Sequence, residues 1–227
     1  MGSIRIVSHR EDIFEDRRQA AQMLVDQLTN YKDLKNLIVL GIPRGGVILA
    51  DKIARALNAK LDIILTRKIR APMNPELAVG AVSEDGKLYL NQRIVEAIGL
   101  SDEYIEKEKN YQLNEIHRRK EIYRAVLQKE PLNGKTVILT DDGVATGATM
   151  QAAIWAAIAE FPHKLILALP VAPPETLERL ANDVDDTICL CAPSLFGAIS
   201  QFYIDFEQVE DDQVIDVLKN YSRGKSS

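Results

Sequence analysis

Hydrophobic positions along the chain switch between a helical period and short continuous runs. From Asp12 to Asn30, apolar residues recur about every 3.6 positions, which predicts an amphipathic helix. Apolar runs follow at 37–40 and 61–65, and between them lie a turn rich in Gly and Pro and a helical pattern that ends at Asn58. Strand, turn, helix and strand in this order predict a βαβ unit.

The same order returns in the second half of the chain. Apolar runs at 136–140 and 165–169 enclose a loop of small residues and an apolar helix at 150–160, and a run at 187–190 predicts one more strand. Continuously apolar strands are covered on both faces. The pattern therefore predicts an α/β fold, an open parallel sheet of about five strands with helices on both faces. Both small-residue turns lie at carboxyl ends of strands, where ligands of such sheets bind.

Three segments lie outside the two units. Apolar runs at 78–82 and 87–90, joined by an Asp-Gly turn, predict a β-hairpin flap. Ser101 predicts the N-cap of a long polar helix to about Leu127, whose basic run at 117–120 we interpret as a solvated face. Sparse apolar spacing leaves open whether this helix is a homodimer face or a lid brace. We expect one unit over 1–227, with a core at about 37–190, the flap and long helix at 69–130, a C-terminal hood at 193–220 and a frayed tail at 222–227.

Composition excludes several classes of protein. The 227 residues are 46% hydrophobic and carry a net charge of −5, which argues against both a disordered chain and a nucleic-acid partner. The longest apolar run, 152–159, is far below the roughly 20 residues of a membrane span, and no signal-peptide pattern is present, so we expect a cytoplasmic protein with no membrane partner. Cys189 and Cys191 lack a second pair for a metal site and are expected as reduced, packed thiols.

The clearest chemical signal follows the apolar run at 136–140. Asp141 and Asp142 are adjacent, and the loop of small residues behind them leads into a helix. The N–H groups of such a loop and the helix N-terminus form a phosphate cradle, while carboxylates accept hydrogen bonds from sugar hydroxyls. The alternative is a plain strand-to-helix turn, which the repulsion between two neighbouring carboxylates disfavours unless a ligand or cation offsets it. The arrangement suits a phosphorylated ribose.

A second turn of this kind follows the apolar run at 37–40. Gly45 and Gly46 permit backbone conformations that expose N–H groups to an anion, and Arg44, next to Pro43, supplies charge and forked donors. Alone, the turn is equally an ordinary glycine turn with a surface arginine. Together with the acid pair, it favours two anion sites that face one crevice.

The stretch 137–149 resembles the phosphoribosyl pyrophosphate (PRPP) signature of type I phosphoribosyltransferases, in which an apolar strand and two acids precede an Ala-Thr-Gly-x-Thr loop. It departs from that signature at Thr140, and at Gly143, where a larger apolar residue is common. The turn at 43–46 resembles the pyrophosphate loop of the same family. The resemblance therefore implies the fold of this family, with its flap and hood.

The resemblance also implies roles for single residues. The ribose 2- and 3-hydroxyls would be held by Asp141 and Asp142, near which Mg²⁺ would arrive with PRPP. The 5-phosphate would be bound by Ala145, Thr146, Gly147, Ala148 and Thr149. The pyrophosphate would be bound by Pro43, Arg44, Gly45, Gly46 and Lys68, with Arg67 as the alternative to Lys68. The catalytic group would consist of Arg44, Lys68, Asp141 and Asp142.

The function implied by the resemblance is Mg²⁺-dependent phosphoribosyl transfer from PRPP to a nucleobase-like acceptor, with release of pyrophosphate. The segment 72–76 and the hairpin would close over the site, and the N-terminal segment with the aromatic stretch 193–206 would recognise the acceptor, for which a purine is the first expectation. That aromatic stretch is equally typical of a core. Two alternatives stay open, a PRPP- or nucleotide-sensing protein without turnover and a sugar-phosphate hydrolase. Retention of Arg44 and Lys68 favours the enzyme.

Overall fold

A computed structural model describes residues 2–10, 13–72 and 74–224. In chain order the strands are β1 (Ser3–Ser8), β2 (Leu37–Gly41), β3 (Lys60–Ile63), β4 (Thr66–Ala71), β5 (Asn74–Ser83), β6 (Leu88–Leu90), β7 (Thr136–Thr140), β8 (Lys164–Val171) and β9 (Asp186–Cys191). The helices are α1 (Arg17–Gln27), α2 (Gly45–Ala56), α3 (Gln92–Ile98), α4 (Asp102–Arg124), α5 (Ala148–Ile158), α6 (Pro174–Ala181) and α7 (Asp211–Gly224).

The centre of the fold is a parallel sheet of six strands in the order β1-β9-β8-β7-β2-β3. Successive side chains of a strand point to opposite faces. Leu37 and Val39 of β2 pack with α1, α2 and α7, whereas Ile38 and Leu40 pack with α5 and α6. The predicted α/β sheet with helices on both faces is therefore confirmed.

The sheet has six strands rather than about five, because β1 was missed. This strand pairs with β9 at one edge, where Ser3 aligns with Asp186. Its residues alternate between exposed and half-buried positions. An edge strand of this kind carries no continuous apolar run, which is the pattern that identified the other five strands.

A second, antiparallel sheet joins β4, β5 and β6. The predicted hairpin is present as β5 and β6, and Gly86 occupies the left-handed region in its turn with φ +76°. The basic segment between β3 and the hairpin, which contains Arg67 and Lys68, is itself the strand β4. Of the segment 72–76 that was expected to close over the site, Met73 and the side chains of Pro75 and Glu76 lie outside the described residues.

Several helix boundaries agree with the sequence pattern. Ser101 caps α4, since its hydroxyl accepts a hydrogen bond from the N–H of Tyr104 at 3.3 Å. The helices α3 and α6 were not predicted. The tail expected to fray from Ser222 is helical to Gly224, and 225–227 lie outside the described residues. None of the helices in the described ranges has the length and apolar character that a bilayer crossing requires.

The two cysteines of β9 are buried thiols, as expected. Burial raises the pKa of the Cys189 thiol to about 12, so this thiol stays protonated. The Sγ of Cys191 lies 2.6 Å from the carbonyl oxygen of Arg10. Both side chains therefore act as packing groups of the edge of the sheet.

A buried ionic cluster ties the end of α4 to both sheets. Arg124 donates hydrogen bonds to Asp62 of β3 at 2.5 Å and to Glu84, in the turn after β5, at 2.5 and 2.9 Å. The residues Asp62 and Glu84 are only 1% and 6% exposed. Lys129 extends the cluster by pairing with Asp85 and Glu160. The cluster fixes the antiparallel sheet to the long helix.

This cluster makes a testable prediction for the pH dependence of stability. Burial raises the pKa of Asp62 to about 6, although Arg124 opposes the shift. Because the folded protein holds this proton more tightly than the unfolded chain, the contribution of Asp62 to the free energy of unfolding falls as pH rises from about 4 to 6, by up to about 3 kcal/mol. Urea unfolding at pH 4 and pH 7 of the wild type and of Asp62→Asn checks the sign.

The expected result is a wild-type protein that loses stability relative to Asp62→Asn between the two pH values. The exposed Asp26→Asn serves as the matched control. If the wild type gained stability relative to Asp62→Asn as pH rises, the interpretation of Asp62 as a carboxyl dominated by burial would be wrong.

Candidate active site

The two predicted anion-binding turns meet at the carboxyl end of the parallel sheet. Strands β2 and β7 are neighbours, with Gly41 aligned to Thr140, and the N–H of Ile42 donates a hydrogen bond to the Thr140 carbonyl at 3.1 Å. The backbone of Gly46 lies against Asp141, since a Cβ on this glycine would be 2.9 Å from the Asp141 Oδ1, and its N–H faces the carboxylate closely enough to lower its pKa. The two turns are therefore in direct contact, which agrees with the expectation that they face one crevice.

Gly45 and Gly46 lie so close to the acid pair that neither position has room for a side chain. A Cβ on Gly46 would lie 2.9 Å from the Cα and Oδ1 of Asp141 and from the carbonyl oxygen of Thr140, and a Cβ on Gly45 would overlap the carboxylate of Asp142. Neither glycine has a positive φ. The expectation that they supply unusual backbone conformations is wrong, because what they supply is space for the acid pair.

The acid pair is held by several hydrogen bonds. Burial and the neighbouring Asp142 raise the pKa of Asp141 well above its usual range, while the N–H groups of Asp142, at 2.9 Å, and Gly46 oppose the shift. Asp142 accepts a hydrogen bond from the Nε of Arg17 at 2.8 Å, and the two side chains are 13% and 12% exposed. Arg17 of α1 is thus the cation that offsets the paired carboxylates, and sequence reasoning missed it.

Arg17 also connects the acid pair to the C-terminal aromatic segment. Its guanidinium lies 4.0 Å from the ring centroid of Phe206 and donates a hydrogen bond to the Glu207 carbonyl at 2.9 Å. The hydroxyl of Tyr203 donates to the Asp142 carbonyl at 2.6 Å, and its ring contacts that of Phe14. Phe14 and Tyr203 are buried. The core interpretation therefore holds for part of the aromatic stretch, and this part braces the acid pair.

The loop after the acid pair is anchored from α6. The hydroxyl of Thr176 donates to the Ala145 carbonyl at 2.9 Å, and Arg179 donates to the Thr146 carbonyl at 2.5 Å. Gly147 has a φ of +76° and lies at the start of α5, where none of the described side chains makes a capping hydrogen bond. The N–H groups at Ala148 and in the first turn of this helix are therefore free of helical partners and suited to an anion.

Gly143, the departure from the family signature, has a structural explanation. A Cβ at this position would lie 2.6 Å from the Cγ2 of Ile199 and 3.1 Å from the Cγ1 of Val171. Ile199 belongs to a short 3₁₀ turn at Ile199–Phe202 in the C-terminal segment. The space beside Gly143 is thus filled by apolar side chains from distant parts of the chain.

The cation of the turn at 43–46 pairs with the C-terminal segment. The peptide bond between Pro43 and Arg44 is cis, and the Nη1 of Arg44 donates to the Oε2 of Glu210 at 2.8 Å. Pro43 itself, with Lys68 and Thr149, lines a cavity of about 230 Å³ between the turn, β4 and α4. The structure therefore brings Lys68 to both turns and places Arg44 against the C-terminal segment.

The basic run at 117–120 is only partly a solvated face. His117 and Arg118 are exposed. Arg119 lines the same cavity as Lys68, and the Nζ of Lys120 donates to the Glu84 carbonyl at 3.0 Å. The helical period alone does not show which side of α4 faces the second sheet. The sequence therefore could not have shown that Arg119 and Lys120 lie on that side.

The donor set of the acid pair fits Mg²⁺ that is delivered with a phosphate ligand. Among the described residues, no group of three His, Cys, Asp or Glu side chains is arranged to hold a metal. Mg²⁺ is commonly bound by one or two carboxylates together with substrate phosphates and water. Asp141 and Asp142 provide two carboxylates beside a loop suited to a phosphate. This arrangement fits Mg²⁺ that is bound together with substrate phosphates rather than Mg²⁺ that is bound by protein side chains alone.

Comparisons with known proteins agree with this arrangement. A family model described as a phosphoribosyl transferase domain matches residues 9–207. Two strains of Mycobacterium tuberculosis have a relative, provisionally named a phosphoribosyl transferase, that is 39% identical over 211 residues. The match covers 93% of this chain and 47% of the relative, so the chain spans about half the length of these curated relatives.

A solved structure extends the likeness to three dimensions. The crystal structure of TT1426 from Thermus thermophilus is 41% identical and superimposes with a TM-score of 0.87, covering 92% of this chain and 99% of that one. The family model spans both anion-binding turns, the acid pair and the whole C-terminal aromatic stretch 193–206. The chain therefore belongs to the type I phosphoribosyltransferase family.

Proposed function

We propose that the chain transfers the phosphoribosyl group of PRPP to a nucleobase-like acceptor and releases pyrophosphate, in the presence of Mg²⁺. The contact between the two anion-binding turns, made by Gly46 on Asp141, is the observation that supports this most directly. PRPP carries one phosphate and one pyrophosphate on a single ribose. A protein that binds it needs two anion sites beside a hydroxyl acceptor, and these turns lie on either side of the acid pair.

Each part of the site has a role in this proposal. The ribose hydroxyls donate to Asp141 and Asp142. The 5-phosphate takes N–H and hydroxyl donors from Ala145, Thr146, Gly147, Ala148 and Thr149. The pyrophosphate takes donors from the turn at 43–46 and from Lys68. Arg17 holds the carboxylate of Asp142 in place, and Thr176 with Arg179 holds the phosphate loop.

The reaction needs positioning and charge stabilisation more than a protein nucleophile. The acceptor nitrogen forms a bond to C1 of the ribose while the bond from C1 to the pyrophosphate oxygen breaks, and its electron pair leaves with pyrophosphate. Lys68 and Arg44 stabilise the charge that develops there. When bound, Mg²⁺ adds charge neutralisation on the ribose and pyrophosphate oxygens near Asp141 and Asp142.

Arg44 reaches the pyrophosphate only after it leaves Glu210. Their ion pair joins an arginine that is 28% exposed to a glutamate that is 58% exposed, so water screens it and it holds weakly. A pyrophosphate group offers several charged oxygens to a guanidinium and outcompetes one such carboxylate. The acceptor would be recognised by the segment 193–206, of which Leu195 and Phe196 line an open cavity.

The test incubates the protein with Mg²⁺ and PRPP, alone and with a panel of nucleobases, and follows nucleotide and pyrophosphate by mass spectrometry. We expect a nucleotide that depends on one base and is lost in the Asp141→Asn/Asp142→Asn variant. Ribose 5-phosphate formed without a base would favour a hydrolase. Thermal protection by PRPP without any product would favour a sensor, and the absence of both product and protection would refute the proposal.

A further inference from the structure

The cavity between β4 and α4 has a strongly cationic wall. Four of its lining side chains are positively charged and one is negatively charged. The four cations are Arg67, Lys68, Arg70 and Arg119, and the anion is Glu115. Like charges gathered around one space repel each other, and an anionic ligand relieves this repulsion. The cavity is therefore suited to a ligand with several negative charges.

Arg70 and Arg119 are the cations of this wall that the structure leaves uncompensated. Arg67 pairs with Glu115 at 3.7 Å. Within the described ranges, neither Arg70 nor Arg119 forms an ion pair with a carboxylate, and both are half-buried. Half-buried guanidinium groups that face a cavity keep their donors available to a ligand.

Arg119 also lies close to the turn at 43–46, because it lines the same cavity as Pro43 of that turn. Burial and Asp211 raise the pKa of the Tyr123 hydroxyl, while the positive charges of Arg119 and Arg44 act in the opposite direction. Both guanidinium groups are thus within electrostatic range of one hydroxyl. Tyr123 follows Arg119 by four residues, so the two lie on the same side of α4.

The wall is also rigid. The Tyr104 hydroxyl of α4 donates a hydrogen bond to the Arg70 carbonyl of β4 at 2.9 Å. At the other end of α4, Arg124 bonds to Glu84 and to the Ile63 carbonyl. The helix that carries Arg119 is therefore joined to β4 at Arg70 and, at its other end, to β3 and to the turn after β5, and little ordering is required when an anion enters between the helix and β4.

We propose that Arg70 and Arg119 bind the pyrophosphate group of the donor, so that the long helix α4 forms part of the substrate site. The identity of the donor, PRPP, rests on the proposed function. The two arginines lie outside both anion-binding turns, and their binding of inorganic pyrophosphate can be measured without any turnover of substrate. Pyrophosphate has enough charged oxygens to occupy Lys68, Arg70 and Arg119 together.

The experiment is calorimetric titration of the full chain with inorganic pyrophosphate in Mg²⁺ buffer. We expect Arg119→Gln and Arg70→Gln each to raise the Kd by about 10- to 100-fold, since each removes a charge-assisted hydrogen bond. Arg118→Gln is the matched control on the same helix, because this neighbour is 73% exposed, and it should leave the Kd unchanged. Arg119→Lys should restore part of the affinity, and circular dichroism should show intact variants.

The outcomes separate this inference from the proposed function. If the wild type binds pyrophosphate and both glutamine variants bind it equally well, the inference is refuted while the transferase remains. If the variants change only the KM for the acceptor, the cations serve an anionic acceptor, which also refutes it. If they weaken pyrophosphate binding in a chain that forms no nucleotide, the inference stands and the proposed transfer fails. A wild type that binds no pyrophosphate refutes it outright.

Discussion

Replacing Asp142 with Asn is expected to lower kcat/KM for PRPP by about 100-fold or more, because the change removes one charged acceptor of the ribose hydroxyls. The same change leaves the guanidinium of Arg17 without its carboxylate at a position that is only 12% exposed. We therefore also expect the free energy of unfolding to fall by about 1–3 kcal/mol. Steady-state kinetics and urea unfolding measure the two effects, with the exposed Asp26→Asn as the matched control.

A double-mutant cycle tests the part that Arg17 takes in this effect. Arg17→Gln alone should weaken PRPP binding by about tenfold, since Asp142 then loses the donor that orients it. The double variant Arg17→Gln/Asp142→Asn should be little worse than Asp142→Asn alone, because residues that act through one contact are not additive. Strict additivity in both kinetics and stability would show that Arg17 does not act through Asp142.

The sequence predicted those parts of the site whose chemistry is local in the chain. An anion cradle needs consecutive small residues where a strand ends and a helix begins. Each of the two turns is encoded by one short, continuous stretch of sequence, so its pattern can be recognised without the structure. The acid pair is equally local. A pair of adjacent carboxylates also implied a ligand or a cation that offsets their repulsion, but nothing in the sequence indicated Arg17, which lies 125 positions from Asp142. Only the packing of α1 against the sheet selects it from the other arginines.

The remaining misses have the same physical origin. Arg179 and Thr176 hold the loop after the acid pair by hydrogen bonds to its backbone carbonyls. Every residue has a backbone carbonyl, so the residue types of the loop do not indicate such a contact. Ile199 fills the space beside Gly143, although the two residues lie 56 positions apart in the sequence. Arg119 belongs to a basic run whose orientation depends on the neighbouring sheet. Each of these contacts joins elements that are distant along the chain.

Gly46→Ala and Gly45→Ala are expected to inactivate the protein in different ways. The added methyl group of Gly46→Ala would press on the Asp141 Cα and the Thr140 carbonyl at 2.9 Å, and these backbone atoms cannot move without shifting β7. Overpacking of this kind costs about 1–3 kcal/mol. At Gly45 the obstacle is the Asp142 carboxylate, a side chain that can rotate away, so we expect a smaller loss of stability.

The measurements that distinguish the two variants are urea unfolding and thermal protection by PRPP. Gly45→Ala should lose PRPP protection, because the carboxylate of Asp142 can make room only by leaving Arg17 and the ribose position, and its loss of stability should be limited to that broken contact and be no larger than the loss in Asp142→Asn. Gly46→Ala should lose PRPP protection and more stability, because β7 has to shift. Gly224→Ala is the matched control, since its Cβ would meet nothing nearer than the Arg55 Nη1 at 3.5 Å. A Gly45→Ala protein that is still protected by PRPP would show that the ribose does not need Asp142 where the free protein holds it.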